Sequence, residues 1–383
     1  MLKVVFYFNN HNTLGHSIVV FSLVKKLKNS FGDNINIIVI ETGFNKINIL
    51  PFSNYATLFF YPVQDRNYFK KSWAKNNSIS LKKILDDFRP DIFITEYFPF
   101  YQEPEYPSII ALLEYIKRIL HSKIICSCTY LNWTDNTYSL IKNFYDVVFF
   151  HLPEDFTFGY RTYLPKNGIY TLDKILNEFH KKIFFTGFLI DYNNQNSRIT
   201  SDYVRKKLGL NKEKLVIVSR GGRHEYKELI FLAIRIAKWN KDCFFLVSTG
   251  LAKESKEFKS ITHLSNDLTN IRLSTLIYPY FDDLLKSSDL SINMGGYNTI
   301  VRLLYFNKKS IVIPLPNTDQ PYNANFLSRF IPCEIIKKEE LDASFLNTRM
   351  KQLLLMKKSN ISKVKKEWFA GLDKTVTAIN KLI

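Results

Sequence analysis

The chain has 383 residues, of which 46% are hydrophobic, and this length is more natural for two domains than for one. Its four scattered cysteines lack the paired spacing of a structural zinc site and are too few for a disulfide framework. No apolar run approaches the roughly 20 residues that cross a bilayer, and the first residues lack the layout of a signal peptide. We therefore expect a cytoplasmic protein.

The formal net charge is +18, and most of it lies in the second half of the chain. Residues 1–190 hold 21 Lys and Arg against 16 Asp and Glu, which leaves 32 against 19 for the remainder. This excess of basic residues favours an anionic partner: a phosphorylated small molecule, an anionic membrane surface or nucleic acid. A lysine-rich composition alone would also produce the same excess. No nucleic-acid-binding module is visible, so we expect no nucleic-acid partner.

In chain order, the first 190 residues alternate apolar, β-branched and aromatic runs with amphipathic stretches. Near-continuous apolar strands between helices predict a parallel sheet that is covered on both faces. The predicted strands are residues 3–8, 34–41, 56–62, 91–96, 123–128, 146–151 and 182–187.

The polar stretch 191–202 interrupts this pattern and predicts a linker. The alternation then restarts, with strands predicted at 215–220, 243–249, 271–278, 290–295 and 310–315. The fold class is therefore α/β, with two doubly wound domains at 1–190 and 203–365 and a basic C-terminal helix at 366–383. Ligands of such sheets bind outside the carboxyl ends of the strands.

The stretch SINMGGYNTIVRLLYF, residues 291–306, predicts a strand, a turn at Gly295 and Gly296, and a helix. Asn298 or Thr299 is the predicted N-cap of that helix. Glycine permits a tight turn and a close backbone approach, and the amides of a helix start favour a phosphate. The alternative is a turn that needs only a positive φ.

Three further strand ends carry polar groups at the same edge of the predicted second sheet. Arg220 and two glycines follow one strand, Thr249 and Gly250 follow the next, and Asp319, Gln320 and Asn323 follow the last. Together with the Gly295 turn, these groups indicate a nucleotide-sized polar site.

The run DLSINMGGYNTIVRLLYFNKKSIVIPLPNTDQPYNANFL resembles the C-terminal nucleotide-sugar domain of family 28-type glycosyltransferases. Within them it is most similar to a group of predicted glycosyltransferases with the same MGGYNT motif. VSRGGRHEYKELI, FFLVSTG, FYFNNHNTLGH and RPDIFITEYFPF resemble further parts of that group. The resemblance implies the GT-B architecture, in which two Rossmann-like domains, acceptor-side and donor-side, face each other across a cleft.

The resemblance also implies a donor site that needs no metal or other cofactor, because helix amides and basic side chains can carry the leaving diphosphate. In this implied site, Gln320 and Asn323 contact the donor sugar and Phe281 packs against the base. The neighbouring Asp282-Asp283 pair is interpreted as a helix start rather than a metal site. The implied donor-binding residues are Arg220, Gly221, Gly222, Thr249, Gly250, Phe281, Gly295, Gly296, Tyr297, Asn298, Thr299, Arg302, Gln320 and Asn323.

Arg302 departs from the family pattern, which usually has a glutamate for the donor ribose at this position. An arginine cannot accept the ribose hydroxyl protons as a carboxylate does. Either the ribose is held in another way, the donor carries an extra negative group, or normal donor binding is lost.

His16 is the catalytic candidate, because it follows Leu14-Gly15 in the loop after the first strand and a histidine can accept a hydroxyl proton. His11 could do the same, but the Gly-His pair is what the family matches. A capping or packing role is the alternative. Glu96, at the end of a predicted strand, is the second candidate, either to contact the acceptor or to orient the histidine. The family mechanism implies direct displacement with inversion at the anomeric carbon.

The predicted function is therefore transfer of a sugar from a nucleotide-diphosphate donor, with a UDP-sugar favoured, to a glycan, lipid-linked or small-molecule acceptor. The alternatives are a nucleotide-sugar hydrolase or 2-epimerase of the same fold, and a sugar-nucleotide-binding protein without activity. Trp368 and Phe369 lie among lysines near the C-terminus. This pattern is typical either of a helix on an anionic membrane surface or of a helix packed back on the first domain.

Overall fold

The computed structural model describes residues 1–10, 14–43, 50–62, 72–100, 106–129, 135–156, 173–174, 176–191, 199–220, 227–275, 280–316, 318–356 and 364–383. The chain forms two compact units. The first unit contains residues 1–190 and 366–383, and the second contains residues 191–365.

The first unit is built on a seven-stranded parallel sheet in the order β3-β2-β1-β4-β5-β6-β7. The order reverses between β1 and β4, which defines the topological switch point where such sheets bind ligands. The central strands are buried almost throughout because helices cover both faces. The strands are β1 Leu2–Asn9, β2 Ile35–Gly43, β3 Thr57–Pro62, β4 Ile92–Glu96, β5 Lys123–Cys128, β6 Val147–Phe150 and β7 Ile183–Phe185.

The helices described in the first unit follow the strands in alternation, as the sequence predicts. They are α1 Leu14–Phe31, α2 Ser72–Phe88, α3 Tyr106–Tyr115 and α4 Asp135–Asn143, with α12 Gly371–Asn380 added from the end of the chain. Helix α3 continues into a π-helical turn, Ile116–Leu120. Short 3₁₀ turns lie at Gly32–Asn34, Phe52–Asn54 and Lys366–Phe369.

The second unit repeats this plan with a six-stranded parallel sheet in the order β10-β9-β8-β11-β12-β13. Its switch point lies between β8 and β11. The edge strand β13 is absent from the predictions, because its three half-buried residues leave no apolar run to detect. The strands are β8 Lys214–Ser219, β9 Cys243–Ser248, β10 Ile271–Ser274, β11 Leu290–Asn293, β12 Ser310–Val312 and β13 Cys333–Ile335.

Helices cover both faces of the second sheet, and a 3₁₀ turn lies at Lys338–Glu340. The helices are α5 Ser201–Leu208, α6 Glu228–Trp239, α7 Lys256–Ser265, α8 Phe281–Ser287, α9 Tyr297–Phe306, α10 Gln320–Ser328 and α11 Ala343–Leu355. Helix α5 begins inside the predicted linker 191–202, because the Thr200 side chain caps it by accepting a hydrogen bond from the Tyr203 amide. The linker prediction is therefore wrong at its last residues.

The C-terminal segment packs on the first unit. The indole Nε1 of buried Trp368 donates to Asp155 at 3.3 Å, and the Trp368 carbonyl accepts from the Phe188 amide. Lys26 of α1 forms an ion pair with Asp373 of α12. Trp368 therefore belongs to the core of the first unit and cannot also insert into lipid. Within the described ranges, no helix combines the length and the hydrophobicity that a bilayer crossing requires.

Trp368 provides a test of how strongly the C-terminal segment holds to the first unit. We expect Trp368→Ala to destabilise that unit by about 3–5 kcal/mol, because the cavity and the lost apolar burial add. Thermal unfolding followed by calorimetry measures this loss. The matched control is Trp239→Ala, since Trp239 is 49% exposed and its loss should cost less than about 0.5 kcal/mol. Equal destabilisation by the two substitutions would contradict the packing argument.

Candidate functional site

The turn after β11 lies at the switch point of the second sheet and is fixed by buried amide side chains. Asn293, the last residue of β11, accepts the Gly295 amide through Oδ1 at 2.9 Å. Its Nδ2 donates to the hydroxyls of Ser291 and Ser310 at 3.1 and 2.9 Å. Gly295 then turns with φ +78°, a conformation that favours glycine.

The two glycines of this turn have different structural requirements. A Cβ on Gly295 would lie 2.8 Å from Cγ1 of Val312 and 3.2 Å from the carbonyl oxygen of Gln320. A Cβ on Gly296 would meet no atom of the described residues within 4 Å, and Gly296 has φ −63°. Gly295 is therefore required by the fold, whereas Gly296 is not.

Helix α9 begins at Tyr297 with Gly296 as its N-cap, so the predicted N-cap at Asn298 or Thr299 is wrong. Gly296 has no side chain to cap the helix, and its carbonyl accepts the Thr299 and Ile300 amides at 2.9 and 3.0 Å. The Tyr297 side chain is buried in the core. Tyr297 can therefore serve a ligand only through its backbone.

Helix α10 supports the turn from the other side. The Nδ2 group of buried Asn323 donates one hydrogen to the Gly295 carbonyl at 3.0 Å and one to Asp319 at 2.9 Å. Both of its donor hydrogens are thus used within the protein. Gln320 accepts the Leu315 amide through Oε1 at 2.9 Å. The predicted contacts of Gln320 and Asn323 with a donor sugar stay predictions.

Arg220 lies buried between the carboxyl ends of β8 and β9. Its Nε donates to the carbonyl of Thr249, and the Thr249 hydroxyl donates to the Ser274 carbonyl at 3.0 Å. Gly250 follows with φ +65°. The structure thus brings the predicted residues of β8 and β9 together, while Gly221 and Gly222 lie outside the described residues.

Arg302 of α9 is paired with a carboxylate from α8. Its Nε donates to Oδ1 of Asp282, and its Nη1 donates to the Asn298 carbonyl at 3.0 Å. Phe281 begins α8, and Asp282 and Asp283 lie in its first turn, where the helix dipole favours acidic residues. Among the described residues, no group of three or more His, Cys, Asp and Glu is arranged to hold a metal ion.

In the first unit, the two predicted catalytic residues meet at the switch point. His16 lies in the first turn of α1, and its Nδ1 lies 3.4 Å from Oε1 of Glu96, the last residue of β4. The ring of Tyr97 packs against His16 with ring centroids 4.9 Å apart. Tyr97 has φ +73°, which is uncommon for a residue with a bulky side chain.

The surroundings of Glu96 favour its neutral form. Burial raises the pKa of this carboxyl group, and the hydrogen bonds from His16 and Ser127 oppose that rise only in part. The Ser127 hydroxyl donates to Oε2, so both carboxylate oxygens have partners.

Ser127 extends the polar cluster to His151, which follows β6. The Ser127 Oγ lies 3.0 Å from Nε2 of His151, and Nδ1 of His151 lies 2.9 Å from the Thr186 hydroxyl oxygen. Burial lowers the pKa of His151 to about 3, so its ring is neutral near pH 7.

The comparisons with known proteins agree with this geometry. Residues 216–376 match the glycosyltransferase family 28 C-terminal domain. A 213-residue stretch is 27% identical to the UDP-N-acetylglucosamine–N-acetylmuramyl-(pentapeptide) pyrophosphoryl-undecaprenol N-acetylglucosamine transferase of a Sulfurihydrogenibium species. The match assigns residues 216–376 to the family 28 C-terminal domain. The 213-residue stretch covers 51% of this chain and 57% of the relative, so the match spans little more than half of the relative's length.

Solved structures share the fold of this chain over nearly its whole length. The glycosyltransferase of kitacinnamycin superposes with a TM-score of 0.65 at 14% identity, covering 100% of this chain and 99% of the other. The UDP-GlcNAc 2-epimerase of Neisseria meningitidis, bound to UDP-GlcNAc, superposes with a TM-score of 0.61 at 14% identity, covering all of both chains. At this identity the likeness establishes the fold, which is the GT-B fold with two Rossmann-like units.

The sequence interpretation missed Ser127, His151, Asn293 and Tyr97. Ser127 and His151 lie at the ends of the predicted strands 123–128 and 146–151. Because β5 and β6 pair next to β4 in the sheet, those strand ends face Glu96. If strands that follow one another in the chain had been assumed to be neighbours in the sheet, the sequence would have placed Ser127 and His151 near Glu96.

The two glycines of the α9 turn give a paired test of the turn geometry. Gly295→Ala should destabilise the second unit by about 2–4 kcal/mol, since positive φ and the contact with Val312 both oppose a side chain. Gly296→Ala should cost about 1 kcal/mol or less. Calorimetric unfolding of the two variants checks this difference, and a Gly296 variant as unstable as the Gly295 variant would contradict it.

His151 predicts an acid sensitivity of the first unit. The pKa of His151 is about 3 in the folded chain against an ordinary 6.5, so the unfolded chain binds more protons between these values. The associated stability is present above about pH 6.5 and is lost as the pH falls toward about 3. Between pH 7 and about pH 4.5, unfolding free energy should fall by about 2–3 kcal/mol more in the native protein than in His151→Gln. Equal acid sensitivity of the two proteins in thermal melts would contradict a neutral buried ring.

Proposed function

We propose that this protein transfers a sugar from a nucleoside-diphosphate donor, with a UDP-sugar favoured, to a hydroxyl group of an acceptor. The observation that carries the proposal is the Gly295-Gly296 helix start at the switch point of a family 28 C-terminal domain. A diphosphate at this turn would meet the first amides of α9 and the positive end of its dipole.

The donor proposal begins with UDP-N-acetylglucosamine. The named relative uses this nucleotide sugar according to its name, and the structurally similar epimerase binds it. Arg220 adds a positive charge between the ends of β8 and β9, on the edge of the sheet where the diphosphate would bind. The leaving diphosphate would therefore be stabilised by backbone amides and arginine without a required metal.

Because Arg302 replaces the glutamate that usually binds the donor ribose in the family, another residue must contact the ribose. Its partner Asp282 brings a carboxylate to the start of α8, beside the position where the family usually has glutamate. We propose that this carboxylate accepts the ribose hydroxyl protons, since Arg302 holds it through Oδ1 and leaves Oδ2 for the ribose. Phe281, the preceding residue, would then pack against the base.

His16 is the proposed general base. Its Nδ1 faces Glu96, so an Nδ1–H group directed to that carboxylate leaves Nε2 to accept the acceptor proton. The hydroxyl would attack the anomeric carbon while the diphosphate leaves from the opposite face, which inverts the configuration. The name of the relative includes a pyrophosphoryl-undecaprenol acceptor and supports a lipid-linked acceptor as the first to test.

Two variants separate donor binding from proton transfer. We expect UDP at 100 times its dissociation constant to stabilise the native protein by about 2.7 kcal/mol. Gly296→Ala should lose this stabilisation because its methyl group occupies the approach to the α9 amides. His16→Gln should keep it but lower turnover by about 10²- to 10⁴-fold. Thermal shift and a coupled assay of UDP release measure the two effects.

The matched control is Trp239→Ala, an exposed substitution that should change neither binding nor turnover. The proposal is wrong if UDP and UDP-sugars give no stabilisation of folded protein. It is also wrong if Gly296→Ala binds UDP like the native protein.

A hydrolase or 2-epimerase is the second candidate, because the superposition on the UDP-GlcNAc 2-epimerase covers the whole of both chains. Release of UDP in water without any acceptor would favour the hydrolase, and conversion of the nucleotide sugar into its C2 epimer would favour the epimerase. Release that requires an added acceptor hydroxyl would favour the transferase.

A further inference from the structure

Four buried polar side chains form a row across the carboxyl ends of β4, β5, β6 and β7. Glu96 pairs in register with Ser127, while His151 and Thr186 follow the last paired residues of β6 and β7. All four side chains are buried, with Glu96 the most exposed at 4%. Because water does not reach them freely, their hydrogen bonds must be satisfied within the protein.

The distances link these side chains into one chain. Ser127 bonds to Oε2 of Glu96, and the Ser127 oxygen lies 3.0 Å from Nε2 of His151. Nδ1 of His151 lies 2.9 Å from the hydroxyl oxygen of Thr186, which also lies 3.2 Å from the carbonyl oxygens of Phe150 and Gly187.

The number of hydrogens restricts how this chain can be ordered. A serine or threonine hydroxyl donates one hydrogen, and a neutral imidazole carries one N–H group. If Glu96 is a carboxylate, Ser127 donates to it and His151 donates to Ser127 through Nε2–H. The unprotonated Nδ1 of His151 then accepts the hydrogen of Thr186.

Protonation of Glu96 on Oε2, the oxygen that faces Ser127, reverses every bond of this order. The carboxylic acid donates to Ser127, and Ser127 donates to Nε2 of His151. The ring proton now lies on Nδ1 and is donated to Thr186, whose own hydrogen goes to the carbonyl of Phe150 or Gly187. This second order holds one proton more than the first, and Glu96 carries it.

We propose that Glu96, Ser127, His151 and Thr186 act as one proton-ordered chain in which the tautomer of His151 follows the protonation state of Glu96. Ser127 and His151 are then positioning residues, which orient the Glu96 carboxyl group that faces His16. The consequence for catalysis rests on the proposed function, whereas the coupling itself does not.

The charged and titratable groups around Glu96 come from two elements. His16 approaches from α1, while Cys126 and Ser127 lie on β5, and the thiol of Cys126 interacts electrostatically with the carboxyl group. Burial raises the pKa of Cys126 well above its usual value, so this thiol stays neutral when Glu96 titrates. The pKa of His151, at about 3, keeps its ring neutral over the same range.

Nuclear magnetic resonance of the full chain tests the coupling without any substrate. The histidines are labelled with ¹³C and ¹⁵N, and the His151 signals are assigned by their loss in His151→Gln. As the pH falls through the range in which Glu96 gains its proton, we expect neutral His151 to change from the Nε2–H to the Nδ1–H tautomer. A His151 tautomer that stays constant while Glu96 titrates would overturn the proposal.

Three variants examine the separate links of the chain. Glu96→Gln should hold His151 in one tautomer at every pH, because the amide neither gains nor loses a proton in this range. Ser127→Ala should abolish the pH-dependent tautomer change, and Ser127→Thr, which keeps the hydroxyl, should restore it. If His151 in Ser127→Ala follows pH as in the native protein, the chain does not pass through Ser127 and the proposal is wrong.

An activity profile then separates positioning from structural support. If the transferase function holds, Ser127→Ala should lower kcat and move the pH dependence of turnover, and Ser127→Thr should recover both. Loss of stability without a change in the pH profile would show that Ser127 only supports the fold. Failure of the transferase function leaves the magnetic resonance result unaffected.

Discussion

Parallel pairing places the carboxyl ends of all strands on one edge of each sheet, and every candidate functional group in this protein depends on that constraint. Each sheet reverses its order once, between β1 and β4 and between β8 and β11. Connections on the two sides of a reversal run to opposite faces, which leaves the strand ends between them accessible. His16 and Glu96 lie at the first reversal, and the turn at Gly295 lies at the second.

The two neighbouring glycines show how a fold requirement can be separated from a functional one. Gly295 is explained by its φ of +78° and by its approach to Val312. Gly296 has neither constraint, and as an N-cap it is less favourable than serine, aspartate or asparagine. Under the proposed function, a ligand that approaches the α9 amides would require that position 296 has no side chain.

The sequence allowed most of the fold to be predicted, because buried parallel strands are continuous apolar runs that end at polar residues or glycine. The prediction of elements failed where a strand is short and half-buried, as at Cys333–Ile335. The prediction of the N-cap failed where a helix starts without a side-chain cap, as at Gly296. In the site, His16 and Glu96 were identified by their positions after strands. Ser127 and His151 are separated by 24 residues and are joined only by strand pairing, which a periodicity analysis of single strands does not consider.

The buried carboxyl and imidazole groups of the first unit have opposite effects on stability, and this difference bears on their roles. Since burial raises the pKa of Glu96, the folded chain binds more protons than the unfolded chain as this group titrates, and stability falls as the pH rises through that range. His151, whose pKa is lowered, contributes stability that increases as the pH rises toward 6.5.

At neutral pH the protein thus keeps His151 in its favoured neutral form but retains a carboxyl group whose ionisation opposes folding. A glutamine at position 96 would remove that cost, so selection for stability alone does not account for Glu96. Its ionisation is useful only where a positive charge develops beside it, and the group at 3.4 Å is the imidazole of His16.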